Sequence, residues 1–251
     1  MYSVYSIFQS LMTAQLLKLD SAPDLVERVY AALLDAIVEG SLAPGVRLTQ
    51  EEIARQLAVS RQPVLQALRL LKADGLVLDA PGRGLLVAPL DGALIASVYQ
   101  VRTALDVLAA RLAAQQHAAL DPALIETGRK AARGRNVRAL IDADAAFHNA
   151  VYAASRNPFI EQSAHVHWRH IRRAMGAVLQ KSALRVTVWD EHEAIAEAIG
   201  RGDADRAVRL TSEHDQRAGE HISRQLDASG PSRSPPPSSS PSPLVAQKGH
   251  S

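Results

Sequence analysis

Apolar residues in the first third of the chain recur at three- and four-residue intervals, the spacing that gathers side chains on one face of a helix. The first run is followed by Gly40 as a helix stop and consists of Leu25, Val29, Leu33 and Ile37. In the second run, Thr49 is placed to cap the first free amides while Glu52 reaches back to it. Ile53 and Leu57 supply the apolar stripe of this second predicted helix.

A third helix is predicted after the short turn Ala58-Val59-Ser60. Ser60 is a suitable N-cap, and Pro63 falls in the first turn, where its missing amide costs no hydrogen bond. The buried stripe of this helix is expected to consist of Val64, Leu68 and Leu71. Because the connection is short, the second and third helices have to cross steeply, as in a helix-turn-helix.

Two short strand-like runs come next and flank a turn that is rich in glycine. Leu76-Val77-Leu78 and Leu85-Leu86-Val87 stand on either side of Pro81-Gly82-Arg83-Gly84. The order helix, helix, turn, helix, hairpin predicts a winged helix-turn-helix. From Leu90 to about Asp227 the pattern is almost wholly helical. The predicted fold class is therefore mainly α, with an N-terminal winged helix-turn-helix followed by an all-α helical bundle.

Composition divides the chain into four segments. We assign residues 1–21 to an N-terminal extension, 22–90 to the winged helix, 91–228 to the helical domain and 229–251 to a Ser/Pro-rich tail, which is predicted to be disordered because it cannot form a core. The absence of cysteine excludes disulfides, thiolate metal sites and cysteine nucleophiles. Neither a signal peptide nor an unbroken apolar stretch long enough for a bilayer is apparent, so we expect a cytoplasmic protein with no membrane partner.

The charge of the chain favours no partner by itself. Its formal net charge is +2, and the segment from 21 to 90 contains seven basic and eight acidic residues. Affinity for nucleic acid depends on where cations lie more than on their sum. A DNA-binding surface therefore has to be sought in the placement of individual side chains.

With its buried stripe facing inward, the third helix presents another stripe, facing out, that carries Arg61, Leu65, Arg69 and Lys72. Such a helix lies in the major groove, where Arg61 and Gln62 are placed to contact guanine and adenine edges. Ser60 at the helix N-terminus can hold a phosphate, and Arg83 at the wing tip can enter a minor groove. Each arginine alone could be a solvated charge, but their shared stripe favours DNA. The candidate contacts are Thr49, Ser60, Arg61, Gln62, Leu65, Arg69, Arg83 and Gly84.

Three runs in this region resemble the DNA-binding domain of the GntR family of transcription regulators, namely Pro44 to Ala54, Val59 to Val64 and Leu68 to Gly75. The chain departs from that family at Leu65 and Gln66, where an arginine and a glutamate are usual. A leucine on the groove face can pack on a thymine methyl group but cannot hold a phosphate. We therefore expect an operator that differs from the usual family sequence.

The following segment resembles the helical FCD ligand-binding domain of the FadR-type branch of that family. The resemblance rests on the runs Ala96 to Asp106, Asp144 to His148, Arg156 to Pro158 and Glu191 to Ile195, with His214 beyond them. In that branch, the positions of Asp144, His148, His192 and His214 are metal ligands, usually for zinc, nickel or manganese type ions. The resemblance implies a divalent metal ion as cofactor and a small carboxylate metabolite as effector.

The spacing of these residues agrees with a metal site. Asp144 and His148 are four positions apart, so a carboxylate and an imidazole project from one helix face and can share an ion. His192 and His214 would come from two further helices. A lone buried histidine is more often only hydrogen-bonded, which is the alternative for each of them. A competing group, most simply interpreted as a solvated helix face, consists of His165, His167 and His170.

Arg102 and Arg172 are the candidate residues for orienting an anionic effector, because a planar guanidinium can hold a carboxylate through two parallel hydrogen bonds. The alternative for each is an ordinary salt bridge.

Together these features predict a transcription regulator that acts as a C2 homodimer on a pseudo-palindromic double-stranded DNA operator. Effector and metal would shift its helical domain between two arrangements. In the resembled family, repression relieved by the effector is the commoner behaviour. Two alternatives stay open: a metal-dependent enzyme that uses the Asp/His site, and an architectural DNA binder whose helical domain only dimerises.

Overall fold

The structure is a computed structural model that describes residues 25–134, 136–179 and 187–229. The described residues form two compact units, one of residues 25–37 and 45–88 and the other of residues 38–44 and 89–229. The expected N-terminal extension and the tail beyond residue 229 lie outside the described ranges, so the disorder expected for that tail stays a prediction.

The described part of the first unit combines three helices with a three-stranded sheet. The elements are α1 (Leu25–Val38), β1 (Arg47–Leu48), α2 (Gln50–Gln56), α3 (Arg61–Ala73), β2 (Val77–Asp79) and β3 (Leu85–Val87). The strands are antiparallel in the order β1-β3-β2, with Val77 opposite Val87 and Leu48 opposite Leu85. The winged helix is confirmed. Strand β1 was not predicted, because two residues are too few for an alternating pattern to be visible.

The core of the first unit is formed mainly by the predicted helix faces. Its buried helix residues include Val29, Leu33 and Ile37 from α1 and Val64, Leu68 and Leu71 from α3. The prediction for Leu57 is wrong: this residue is the C-cap of α2 and its side chain is exposed. Because α2 ends at Gln56, Ala54 takes the buried position beside Ile53.

Only half of the predicted capping box forms on α2. The hydroxyl of Thr49 accepts a hydrogen bond from the backbone amide of Glu52 at 3.4 Å. The carboxylate of Glu52, however, accepts hydrogen bonds from Arg55 and Gln56 instead of reaching back. Ser60 occupies the predicted N-cap of α3, but its side chain makes no capping hydrogen bond.

The described part of the second unit contains six helices. They are α4 (Gly92–Gln115), α5 (Ala123–Arg133), α6 (Val137–Ala154), α7 (Pro158–Val178), α8 (Thr187–Gly200) and α9 (Ala204–Ser229). The side chains of Asp91, Asn136 and Asn157 accept hydrogen bonds from the first free amides of α4, α6 and α7, which fixes where these helices begin. The predicted all-α domain is confirmed.

Helix α4 lies at the centre of the second unit and contacts α6, α7, α8 and α9. Its fully buried positions include small residues that let neighbouring helices approach closely, namely Ala109, Ala110, Ala113 and Ala114. Among the described residues, α4 is the one helix whose length and apolar composition would suffice to cross a bilayer. It also carries the buried charges of Arg102 and Asp106, and its contacts are those of a core helix.

Candidate metal centre and nucleic-acid interface

Three imidazole rings from three different helices meet in the core of the second unit. His148 on α6, His192 on α8 and His214 on α9 are buried, and each offers a ring nitrogen within 4.8 Å of the others. The Nε2 atoms of His192 and His214 are 3.2 Å apart. Asp144 lies one turn before His148 on α6, and its Oδ1 is 3.6 Å from Nε2 of His192. The structure thus brings the four predicted metal-ligand residues together.

Aromatic side chains hold these imidazoles in place. The ring of Phe147 stacks on His192 with centroids 4.2 Å apart, and Trp189 meets the same imidazole edge-on at 4.7 Å. Trp168 lies against His148 at 5.5 Å. All three aromatic side chains are buried, so the site has a dry wall that limits the motion of the rings.

Two carboxylates that were not among the predicted site residues contact the Nδ1 atoms of His148 and His214. Nδ1 of His148 lies 3.1 Å from Oδ2 of Asp106 on α4, and Nδ1 of His214 lies 2.8 Å from Oε2 of Glu191. A histidine that donates its Nδ1 proton to a carboxylate keeps the lone pair of Nε2 free for a metal ion. The pairs join different helices, so no spacing rule could have predicted them, although both acidic residues lie within the runs that carry the FCD resemblance.

A buried cluster of charges adjoins the histidines. Nε of Arg102 donates to Oδ2 of Asp106 at 3.1 Å, and Nη2 of Arg102 is 4.0 Å from Oδ1 of Asp215. The guanidinium lies over the rings of Trp168 and Tyr99, at 4.5 and 5.3 Å from their centroids. Nη2 of Arg102 and both carboxylate oxygens of Asp215 have no hydrogen-bond partner among the described residues. The predicted effector residue Arg102 therefore lies beside the site, and its Nη2 group donates no hydrogen bond to any described residue.

The electrostatic setting favours neutral imidazoles at two of the three positions. Burial, reinforced by His214, lowers the pKa of His192 well below its usual value. Burial and the nearby guanidinium of Arg102 lower the pKa of His148 despite its contact with Asp106. Burial also acts to lower the pKa of His214, but the hydrogen bond with Glu191 and the negative charges of Asp215 and Asp144 together outweigh it, so that pKa is raised. Neutral imidazole is the form that binds a metal ion.

The pKa values of Asp106 and Asp215 are shifted in opposite directions. Burial would raise the pKa of Asp106, but Arg102 and His148 outweigh it and lower that pKa to about 2. Burial and the negative charge of Asp106 raise the pKa of Asp215 to about 7. Asp106 is thus the anion of the cluster, and Asp215 is the group that responds near neutral pH.

The donor set fits a divalent cation. A hydrogen bond between His192 and His214 can satisfy one facing pair of ring nitrogens, but Nε2 of His148 stays buried without a hydrogen-bond partner among the described residues. An unpartnered polar atom in a dry core is costly. One carboxylate and three imidazoles around such an atom are the ligands that zinc, nickel and manganese ions accept.

The other predicted effector residue lies elsewhere in the unit. Arg172 on α7 forms a partly exposed ion pair with Asp142 on α6. The competing histidines, His165, His167 and His170, also lie on α7. Among the described residues they belong to no group of side chains close enough to share a metal ion. A cavity of about 390 Å³ beside the candidate metal centre is bounded by α5, α6 and α8, and Phe147 forms part of its wall.

The candidate nucleic-acid interface consists of α3 and the wing. Arg61, Gln62 and Arg69 are exposed on α3, whereas Leu65 is half-buried. Nη2 of Arg61 is 3.3 Å from Oε1 of Glu51, a pair between two exposed side chains that DNA phosphates can displace. Lys72, from the same stripe, pairs with Asp79 at 2.7 Å.

The wing places Arg83 at an exposed tip between two glycines. Gly82 and Gly84 have φ angles of 88° and 94°, which other residues adopt only with strain. The turn of the wing is fastened by Arg47, whose guanidinium donates to the carbonyl oxygen of Pro81 at 2.8 Å. The role of Gly84 is therefore conformational in this structure, and Thr49 serves as the cap of α2. The DNA contacts assigned to these positions stay predictions.

Comparison with known proteins gives the same two-part division. Residues 25–87 match the family described as bacterial regulatory proteins, gntR family, and residues 97–217 match the FCD domain. The HTH-type transcriptional regulator YieP of Escherichia coli is 30% identical over 202 residues, which cover 70% of this chain and 86% of that protein. The galactonate operon transcriptional repressor of Escherichia coli is 27% identical over 208 residues, which cover 72% of this chain and 89% of that protein.

Solved structures show the same fold. That of Escherichia coli McbR/YncC superimposes with a TM-score of 0.67 at 21% identity, over 80% of this chain and 98% of that one. A putative GntR regulator from Rhodococcus sp. RHA1 gives a TM-score of 0.65 at 22% identity, over 78% of this chain and 96% of that one. At these identities the likeness concerns the fold alone.

Proposed function

The chain belongs to the GntR family of transcriptional regulators and carries an FCD domain C-terminal to its winged helix in sequence, and we propose that it is a repressor whose helical domain binds a divalent metal ion and a small carboxylate effector. The family consists of regulators rather than enzymes, so the enzyme alternative is set aside. The observation that carries the proposal is the convergence of three buried imidazoles beside Asp144.

The metal ion would be held by Asp144, His148, His192 and His214. When bound, it would supply a Lewis-acidic centre that attracts a carboxylate. The residues of the chain would do the remaining work. Asp106 and Glu191 would hold the proton on Nδ1 of two histidines, and the aromatic wall would exclude water from the site.

A carboxylate effector is supported by the unused donor of Arg102, which is buried beside the histidines. A carboxylate that reached this guanidinium would gain a charge-assisted hydrogen bond in a dry environment. Arg172 would first have to leave Asp142 to take part, so Arg102 is the stronger candidate of the two. A relative named for a galactonate operon offers a sugar acid as the chemical class to try first.

Operator binding would use α3 and the wing of each protomer in a cytoplasmic homodimer. The exposed side chains of Arg61, Gln62 and Arg69 are available to base edges and phosphates, and Arg83 is available to the minor groove. Because Leu65 is half-buried and apolar, it would contribute a contact to a thymine methyl group rather than to a phosphate.

The proposal is tested by measuring the metal content of the purified full chain together with its His192→Ala variant. We expect about one divalent ion per chain in the parent and a large loss in the variant. His165→Ala is the matched control, since it removes an exposed histidine on α7 and should keep the ion. A parent chain without metal, after purification in zinc- or nickel-supplemented buffer, would refute the metal site.

The effector is tested separately on the metal-loaded protein. Sugar acids and small hydroxy acids are screened for a shift in melting temperature and then for release of operator DNA. We expect at least one carboxylate to raise the melting temperature of the parent and not that of Arg102→Met. If no carboxylate does so, while metal and DNA still bind, the helical domain has an architectural or dimerising role instead.

A further inference from the structure

An ion pair joins the first turns of α2 and α3 on the candidate nucleic-acid interface. Nη2 of Arg61 lies 3.3 Å from Oε1 of Glu51, and the two side chains are 67% and 78% exposed. Glu51 is in the first turn of α2, and Arg61 is the first residue of α3. The pair therefore lies at the end of α3 from which a helix in the major groove contacts base edges.

The two neighbouring carboxylates of α2 have different partners. Glu52 accepts hydrogen bonds from Arg55 and Gln56 within its own helix. Glu51 is paired instead with a residue on another helix. Of these two carboxylates, Glu51 is thus the one that reaches the surface proposed to contact DNA.

The position of Arg61 in α3 gives a physical reason for this pair. The N-terminus of a helix carries a positive partial charge, so a guanidinium there is unfavourable unless a nearby anion compensates for it. The first turn of α3 contains no acidic residue, and the side chain of Ser60 makes no capping hydrogen bond. The negative charge that the first turn of α3 lacks is therefore supplied by Glu51 from α2.

Arg61 can bind a guanine without leaving Glu51. A guanidinium has more N–H donors than the O6 and N7 atoms of one guanine can accept. The remaining N–H groups of Arg61 can stay with the carboxylate while the base is bound. A carboxylate that holds the guanidinium in this way restricts the directions in which it points, so less conformational freedom is lost when the base is contacted.

The same carboxylate has the opposite effect when Arg61 meets a phosphate. The phosphate and Glu51 are then two anions that compete for one guanidinium and repel each other. Contacts to phosphates supply essentially all of the affinity for non-specific DNA. Glu51 therefore weakens binding to non-specific DNA more than it weakens binding to a guanine edge.

We propose that Glu51 is a positioning residue that increases operator specificity, because it directs Arg61 toward a guanine edge and opposes the binding of Arg61 to phosphate. This inference rests on the operator interface of the proposed function. It adds to that interface a residue that is not among the candidate DNA contacts.

Binding-site selection with the full parent chain supplies the duplex for the test. Fluorescence anisotropy at one fixed salt concentration then measures the Kd for this duplex, for duplexes in which single G·C pairs are replaced by A·T, and for a duplex of random sequence. The guanine that Arg61 contacts is the position at which Arg61→Ala loses discrimination between the two base pairs, by about 5- to 100-fold.

Glu51→Gln keeps the size of the side chain and removes its charge. We expect discrimination at that guanine to fall about two- to fivefold and the affinity for the random duplex to rise by a similar factor. In a chain that already carries Arg61→Ala, the same substitution should leave the discrimination unchanged, since no guanidinium remains to be positioned.

Glu52→Gln is the matched control. It removes the same charge from the same turn of α2, but Glu52 pairs with Arg55 rather than with Arg61. Its affinity for the random duplex should rise as in Glu51→Gln because the net charge changes equally, whereas its discrimination at the guanine should stay at the parental value. Melting temperatures confirm that each variant is folded.

The outcomes separate this inference from the proposed function. If Arg61→Ala loses discrimination and Glu51→Gln does not, or if Glu51→Gln and Glu52→Gln lose it equally, the inference is wrong and the operator interface stands. The same conclusion follows if Glu51→Gln loses as much discrimination in the Arg61→Ala chain as in the parent. If Arg61→Ala changes discrimination at no position, or if selection returns no sequence, the proposed operator interface is wrong and the inference fails with it.

Discussion

Nδ1 of His148 lies 3.1 Å from Oδ2 of Asp106, and the same carboxylate oxygen accepts a hydrogen bond from Nε of Arg102 at 3.1 Å. One buried oxygen thus connects a candidate metal ligand to the one buried guanidinium that adjoins the site among the described residues. Tyr152 donates its hydroxyl hydrogen to the other oxygen of the same carboxylate. Asp106 therefore fixes the orientation of His148 and directs its Nε2 toward the other histidines.

Asp106→Asn should weaken metal binding without removing a ligand. The amide keeps the size of the side chain but loses the charge that holds the Nδ1 proton of His148, and we expect a loss of about 10- to 100-fold in metal affinity. Competition with a chelating dye, well below the melting temperature, measures this loss. Asp142→Asn, which changes a half-exposed partner of Arg172, should leave the affinity unchanged. Equal affinities for parent and Asp106→Asn would show that the contact does not position His148.

Asp215→Asn should stabilise the metal-free protein by an amount that depends on pH. The pKa of Asp215 is raised to about 7, whereas an aspartate in an unfolded chain ionises near about 3.9. The raised pKa contributes stability that is present below about pH 4 and is lost as the pH rises toward about 7. The gain from the substitution should therefore grow between these two pH values and level off above them.

Urea unfolding of chelator-treated protein at several pH values measures this gain. Asp205→Asn, an exposed change on α9, serves as the reference. A difference in unfolding free energy between Asp215→Asn and the parent that stays constant from pH 4 to pH 8 would contradict the raised pKa.

Leu65→Arg should make binding to the usual family operator tighter and more dependent on salt. The new guanidinium would add one phosphate or guanine contact, so the slope of log affinity against log salt should steepen by about one. Fluorescence anisotropy over a series of salt concentrations measures both quantities. Leu70→Arg is the control, since Leu70 is 48% exposed on the same helix and points in another direction. If the two variants behave alike, the effect is one of net charge and position 65 does not face DNA.

Gly128→Ala should destabilise the second unit. A Cβ atom at this position would lie 2.1 Å from the indole ring of Trp189, which is fully buried. Since Trp189 also meets the imidazole of His192, its displacement should reduce metal affinity as well. We expect a loss of about 1–3 kcal/mol in the free energy of unfolding. In the control Gly200→Ala, the added Cβ atom would have its nearest neighbouring atom 4.0 Å away, so neither the free energy of unfolding nor the metal affinity should change. An unchanged free energy of unfolding in Gly128→Ala would show that the indole can move freely.

The sequence by itself determined the elements and their order. Helical periodicity and N-caps depend on residues a few positions apart, so α1, α3 and the hairpin of the wing could be predicted without any tertiary contact. The four candidate metal ligands were identified by a spacing of four on α6 and by the family resemblance.

Only the tertiary structure decided the partners that join different helices. How α4, α6, α7 and α9 pack determines that Asp106 pairs with His148 and that Asp142 engages Arg172. It also leaves the carboxylate of Asp215 without a hydrogen-bond partner among the described residues. The same holds for Glu52, which turns to Arg55 and Gln56 although its spacing suits a capping box. Local pattern restricts which face of a helix a side chain occupies. What that side chain meets is set by packing between segments that are distant along the chain, and burial then sets the cost of leaving it unpaired.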